Sequence, residues 1–141
     1  MTLKMHGFRE LGERFARLSA EMQASTARSS TNAAAQVIKK LAILKAPEAP
    51  SGVSLNVPPK NLKNNIRVKR LTDTPLTSEH IVFVRGGKKA FYASRYGSIQ
   101  EYGSVKQGAQ PFMRPAIDEG KGRAVEAIRT KIIEGVHKGG K

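Results

Sequence analysis

The first third of the chain carries an apolar pattern that only a helix can use. Apolar or small residues fall at Phe8, Leu11, Phe15, Leu18, Met22, Thr26, Ser29, Ala33, Val37, Leu41 and Leu44, ten steps covering 36 positions. The mean step of about 3.6 is the α-helical period. The run Ser25-Thr26-Ala27-Arg28-Ser29-Ser30-Thr31-Asn32 interrupts it chemically. Ser, Thr and Asn compete with the backbone for hydrogen bonds and favour helix ends. The expectation is a short helix near 7–20 and a long one near 22–46, joined by a kink. Small residues at Ser29, Ala33 and Ala34 would admit a second element at close range.

Pro47 closes that pattern. Residues 46–65 read APEAPSGVSLNVPPKNLKNN, with four prolines and one glycine. Proline lacks the backbone donor and fixes φ, so a loop is expected over 47–65. Its length exceeds that of ordinary connections, and such loops tend to be functional. An antiparallel sheet is expected over 66–114. Ile66 to Leu71 alternates, Ser78 to Arg85 contains the run Ile81-Val82-Phe83-Val84, and Phe91-Tyr92-Ala93 opens a third segment. Thr72 to Thr77 reads as a connection and Gly86 to Lys89 as a basic turn. A last helix is expected over 115–137, with Ile117, Ala124, Val125, Ile128, Ile132 and Val136 as its apolar stripe and a tail at 138–141. Pro115 suits its first turn, and Asp118 and Glu119 suit the positive end of its dipole. Gly120 and Gly122 weaken those first turns. The whole reads as one α+β domain, with N-terminal helices and a C-terminal helix packed on a small antiparallel β-sheet.

Charge is the strongest compositional signal. The 141 residues carry 25 basic and 11 acidic side chains, a net +14. Residues 60–95 hold nine basic and two acidic side chains, so half the excess lies in about a quarter of the chain. Such a field attracts polyanions or acidic protein surfaces. Lys60, Lys63, Arg67, Lys69, Arg70, Lys88 and Lys89 are the candidate contacts. On a strand, Arg67 and Lys69 share a face opposite Ile66 and Val68.

Nothing in the sequence assembles a catalytic or metal site. There are no cysteines. His6, His80 and His137 pair with no ligand at metal spacing. No serine stands in a nucleophile elbow. Gly86-Gly87-Lys88-Lys89 lacks the spacing and the following Ser or Thr of a phosphate loop. No cofactor, no metal and no enzymatic activity are expected. No apolar run approaches the length of a membrane span. The start, MTLKMHGFRELGERF, is amphipathic, so no secretory signal is expected either.

One block is more specific than composition. It comprises Tyr92-Ala93, then Gln100-Glu101-Tyr102-Gly103-Ser104, then Gln110-Pro111-Phe112-Met113-Arg114-Pro115-Ala116-Ile117. Gly103 permits a tight turn with positive φ, Phe112 is a candidate core anchor between Pro111 and Pro115, and Glu101 can bond Arg114 or backbone donors in the turn. On these residues alone the block reads as a structural corner between sheet and helix. It resembles the pattern of a phage tail-component or neck family, named for gene product ten of the lambdoid phage HK-ninety-seven. That family carries a Tyr-Ala pair, a Glu-aromatic-Gly-Thr/Ser step, and Pro-Phe-aliphatic-Arg-Pro-Ala opening a C-terminal helix. The resemblance extends to the order of elements, including the basic Leu62-Lys63-Asn64-Asn65-Ile66. Two departures concern spacing: Ser51-Gly52 lies further from Leu62, and Arg95-Tyr96-Gly97-Ser98 is added before Glu101.

The resemblance implies a structural virion protein of a tailed bacteriophage, made in the host cytoplasm and carried in the neck or tail. It implies a ring-forming head–tail connector or tail-completion subunit that acts by assembly and docking. Its partners would be further copies of itself, other connector or tail-tube proteins, and DNA in the channel. The Pro-rich loop would order on assembly. The alternative from another class is a stand-alone, sequence-nonspecific nucleic-acid-binding protein, which would explain the charge directly. Against it, aromatic residues are only 6% with no Trp, leaving few stacking platforms.

Overall fold

The computed structural model describes residues 7–48, 60–74, 77–90 and 92–139. In chain order the elements are α1 (Phe8–Ala16), α2 (Ala20–Lys45), α3 (Asn61–Asn64), β1 (Ile66–Thr74), β2 (Thr77–Val84), a 3-10 turn (Lys88–Ala90), α4 (Ala93–Tyr102) and α5 (Met113–Gly139). The architecture is α+β, with helices at both ends of the chain around a two-stranded antiparallel sheet.

The expected kink falls at Arg17–Ser19. Ser19 takes an extended conformation and its hydroxyl accepts from the Met22 backbone N–H at 3.4 Å, capping α2. Gln23 secures the corner from the other side. Its Nε2 donates to the carbonyls of Phe15, Ala16 and Leu18 at 3.3, 3.2 and 2.9 Å, satisfying the exposed C-terminal end of α1. The polar run Ser25–Asn32 remains helical, and two of its hydroxyls are satisfied by bonding back to the preceding turn. Ser30 Oγ and Thr31 Oγ1 each donate to the Ala27 carbonyl at 2.9 Å.

Helices α2 and α5 run antiparallel in close contact, and small residues set the register. A Cβ on Gly120 would stand 2.7 Å from Leu41 Cδ1 and 2.8 Å from Ile38 Cδ1. Further along, one on Gly135 would collide with Thr26, and one on Gly139 with Leu18. The glycines therefore serve contact, beyond whatever they cost the helix. Lys45 Nζ closes one end on Glu119 Oε1 at 2.6 Å. The buried positions of α2 are Thr26, Ser30, Ala35 and Ala42. This corrects the expected stripe, since Ser29 and Leu44 face solvent and Ala33 and Ala34 are only half-buried. On α5 the buried residues are Ala116 and Gly120, while Ile117 is exposed.

The sheet packs one face on α2. Ile66, Val68 and Arg70 pair with Val84, Val82 and His80 across the hairpin. β1 runs three residues past its expected end and β2 begins one residue before its expected start, so only residues 75–76 separate them, and those lie outside the described residues. The pairing skips Leu71, a bulge between Arg70 and Thr72. Thr31 of α2 ties the helix to β2, with its Oγ1 at 2.9 Å from His80 Nδ1 and 3.0 Å from Ser78 Oγ.

Three expectations for the middle of the chain are corrected. The sheet covering 66–114 ends at Val84, and no third strand forms among the described residues. Tyr92-Ala93 instead opens helix α4, and the added Arg95-Tyr96-Gly97-Ser98 lies inside that helix rather than in a loop. A short apolar run is compatible with either state, and tertiary contact decides. Here Gly97 lets α4 approach the core so closely that a Cβ would lie 3.1 Å from Leu62 Cδ1 and 3.3 Å from Val84 Cγ2. Within the expected loop over 47–65, residues Asn61–Asn64 form a helical turn. Asn61 Nδ2 donates to the Ala90 carbonyl at 3.1 Å, and Asn65 Nδ2 to the Asn61 carbonyl at 2.7 Å. These buried amides hold the turn in place. Most of the Pro-rich segment, residues 49–59, lies outside the described residues.

The core gathers where α2 ends. Ala42 and Ala46 meet Leu62, Ile66, Phe112 and Ala116, with Leu41, Ile43, Val82, Val84, Tyr96 and Met113 packed around them. Phe112, Leu62 and Ile66 are the largest fully buried side chains. Each contributes about 1.5–3 kcal/mol by burial. Replacing Phe112 by Ala is expected to cost about 3–5 kcal/mol, the loss of burial plus a cavity. Urea unfolding measures it. A loss below that of an ordinary surface substitution would mean that Phe112 is not the anchor.

Candidate docking surface

The corner that opens α5 turns on one carboxylate. Gly103, with φ +81°, ends α4 and reverses the chain. There is no room for a side chain there, since a Cβ would lie 3.0 Å from the Ala109 nitrogen. The Gln110 N–H then donates to the Gln100 carbonyl at 2.6 Å. This brings Glu101, itself buried, onto the first turn of α5. Its Oε2 accepts from the N–H groups of Phe112 and Met113 at 2.8 and 2.9 Å. Its Oε1 accepts from the Arg114 N–H at 3.1 Å and from Arg114 Nε at 3.3 Å. Three of the unpaired donors at the helix start are thus satisfied by one side chain. Pro115, the third helical residue, has no N–H to satisfy. The Arg114 guanidinium also lies over the Tyr102 ring, 5.3 Å from its centroid. Tyr102 is exposed, as is Pro111.

These contacts fix the Glu101 charge. Burial pushes its carboxyl upward, but the backbone donors of Met113, Phe112 and Arg114 and the Arg114 side chain outweigh it. The group titrates below the ordinary glutamate value of 4.5. The corner joins helix to helix, not sheet to helix as the sequence suggested. Tyr92, at the other end of α4, is exposed and left-handed with φ 54°, an uncommon state for a side chain of its size. Ala93 beside it is fully buried. Tyr92, Ala93, Glu101, Gly103, Phe112, Arg114 and Pro115 therefore frame both ends of one short helix.

The basic residues fall into two groups. Arg67 and Lys69 project from β1 into solvent, away from α2, and stand opposite Phe83 and Ile81 on the same face. Lys60, Lys63, Lys88 and Lys89 lie at the foot of the hairpin, where the Asn61–Ala90 hydrogen bond joins their two segments. Lys60, Lys88 and Lys89 are exposed. Lys63 is half-buried and pairs with Glu48 at 3.0 Å, and its hydrogen bond and charge hold the Glu48 carboxyl below its ordinary value. Arg70 is exposed and makes a polar interaction of its own.

Among the described residues no cluster of His, Asp or Glu has the makings of a metal site. None of their helices is long and apolar enough to cross a membrane. The residues the sequence reading missed are Gln23, Asn61 and Asn65. A lone amide carries no periodic signal, and only the buried backbone it serves reveals it.

Two long helices packed with a charged hairpin, and buried polar groups spent on corners, make up this α+β structure. The chain belongs to the HK97-gp10-like phage tail-component family, whose model matches residues 9–103. The match includes the hairpin, Tyr92-Ala93 and Glu101-Tyr102-Gly103, while Pro111 to Ile117 lies beyond it. No curated protein and no solved structure matches the chain. As a member of this family it is a structural phage protein, a component of the tail.

The corner can be tested by Glu101→Gln. Gln offers one acceptor oxygen in place of two and turns an N–H toward the helix donors, so a loss of about 1–3 kcal/mol is expected at neutral pH. Because the folded carboxyl is depressed, its contribution is complete above 4.5 and fades as pH falls through the lower folded value. The gap between wild type and variant should therefore narrow in acid. Urea unfolding at pH 7 and pH 3 measures it, and a gap that is constant with pH would exclude the carboxylate as the cause.

Proposed function

We propose that this tail component is a subunit of the head–tail joint, a ring-forming connector, neck or tail-completion protein that works by docking rather than turnover. A ring requires two unlike faces on each subunit that match head to tail. In this reading the subunit bridges its own copies and unlike neighbours in the connector or tail tube. It is made in the host cytoplasm and remains in the virion. The observation that carries the reading, together with the family, is the direction of the charge. Arg67 and Lys69 stand on the open face of the sheet. There they can meet an acidic neighbour without desolvating the core.

The stand-alone nucleic-acid reading is favoured by the net charge of +14. DNA contact would be sequence-blind and would weaken steeply with salt, because counterion release drives it. Two features weigh for a protein neighbour. Phe83 and Ile81 share the face with Arg67 and Lys69, and apolar side chains add nothing to phosphate contact. A channel wall that grips DNA would also slow its passage.

The joint change of Arg67, Lys69, Lys88 and Lys89 to Gln separates the two. Docking predicts a loss of joined heads and tails of about tenfold or more, the equivalent of 1.4 kcal/mol in docking free energy. DNA affinity, measured at two salt concentrations, should be weak before and after the change. Normal joining with lost DNA binding would overturn the docking reading in favour of the nucleic-acid one.

A further inference from the structure

The polar run of α2 carries five hydroxyls, on Ser25, Thr26, Ser29, Ser30 and Thr31. Ser30 and Thr31 bond back to the Ala27 carbonyl, as such residues ordinarily do inside a helix. Ser25, Thr26 and Ser29 make no side-chain hydrogen bond with any described residue. All three line one pocket of about 110 Å³ on the seam between α2 and α5. Thr26 is the telling member. It is only 7% exposed, and a buried hydroxyl without a partner is costly. Its side chain crosses the seam to Gly135, where an added Cβ would collide first with Thr26 Oγ1. The opposite wall is charged. Lys131, Glu134 and Lys138 of α5 complete the lining, and Lys131 Nζ holds Glu134 Oε2 at 3.0 Å.

We propose that this pocket binds a phosphate ion that retains a proton. The proposal does not depend on where the subunit docks. Three hydroxyls on one wall and two ammonium groups on the other supply donors from both sides, and two cations against one carboxylate leave the pocket positive. Its volume is that of about three to four waters, the room a tetrahedral ion with four oxygens needs. A planar carboxylate brings only two oxygens and would leave hydroxyls unserved. Glu134 decides among tetrahedral anions. An ionised carboxylate only accepts hydrogen bonds, so it repels an anion that has no proton to offer. Phosphate keeps at least one P–OH at neutral pH. That group donates to Glu134, while the other oxygens accept from Thr26, its neighbouring serines and the lysines. Sulfate and the phosphodiester of DNA carry no such proton and meet Glu134 as a like charge. A phosphate monoester loses its second proton at about pH 6, so free phosphate is preferred to it at pH 7.

The probe is sodium phosphate, titrated into the full chain at pH 7 in Bis-Tris buffer, with sulfate, methyl phosphate and acetate as comparisons. Calorimetry reads affinity, and amide chemical shifts locate the ion. Saturable binding is expected, with shifts at Thr26, Ser29 and Gly135 and a preference for phosphate over each comparison of about tenfold or more. Thr26→Val keeps the shape and removes the hydroxyl. It should weaken phosphate by about fivefold, the worth of one hydrogen bond. Ser29→Ala, at an exposed position, should do the same while leaving the unfolding midpoint unchanged. Glu134→Gln should remove the preference, so that sulfate binds as well as phosphate. The proposal is overturned by an absence of saturable binding, by sulfate or acetate matching phosphate on the unaltered chain, or by undiminished binding in the hydroxyl variants. Shifts confined to the basic hairpin would also overturn it. So would displacement of phosphate from Thr26 and Gly135 by duplex DNA, which would give the pocket to the DNA backbone.

Discussion

Helix α2 touches α5 along its length, both strands of the sheet, and α3 at its end, so the spacing between α2 and α5 sets the geometry of everything else. That spacing is possible because glycines of α5 leave room for side chains of α2 and for Leu18 ahead of it. On α5, Gly120 admits Leu41 and Ile38 of α2 and Gly135 admits Thr26, while Ala42 and Ala116 share the core. Helices that approach this closely gain dispersion contacts along their whole length, and large side chains would force them apart. At the end of the seam Leu62, Ile66 and Phe112 close the core. A chain with few large apolar side chains thus obtains a packed interior by closeness rather than by bulk.

The polar residues divide between architecture and surface in a way that bears on the proposed role. Buried polar groups are spent on corners. Glu101 opens α5, Asn61 and Asn65 bind the α3 turn to the segment after β2, and Gln23 closes the end of α1. The cations of the hairpin point outward and the apolar residues beside them are incompletely covered. Such a surface suits recognition by a neighbour with opposite charge, in which electrostatics sets the encounter and apolar contact holds it.

The bulge at Leu71 connects these two levels. By interrupting the pairing after Arg70, it leaves Leu71 without a cross-strand partner, and Leu71 lines, with Ile81 and Ile117, an open cleft floored by α2. Bulges re-aim side chains at the places where a sheet meets something else. Here the same irregularity lies between the basic strand residues and the apolar cleft.

Much of this was already legible in the residues. The helical period of the first third, the outward charge of Arg67 and Lys69, the positive φ of Gly103, the burial of Phe112 and the bond between Glu101 and Arg114 all follow from local rules. Side-chain size, backbone freedom and the two-residue or 3.6-residue repeat act within a few neighbours. Local repeats say which residues share a face but not which face is covered. The partner helix decided that α2 buries Ser30 and Ala42 rather than Ser29 and Leu44, and that Ile117 stands exposed. Tyr92-Ala93 became the start of a helix instead of a strand because Gly97 could then dock against Leu62 and Val84. The meeting of Leu71, Ile81 and Ile117 in one cleft depends on three elements far apart in the chain. No local rule carries information across that separation, so only the tertiary structure could bring them together.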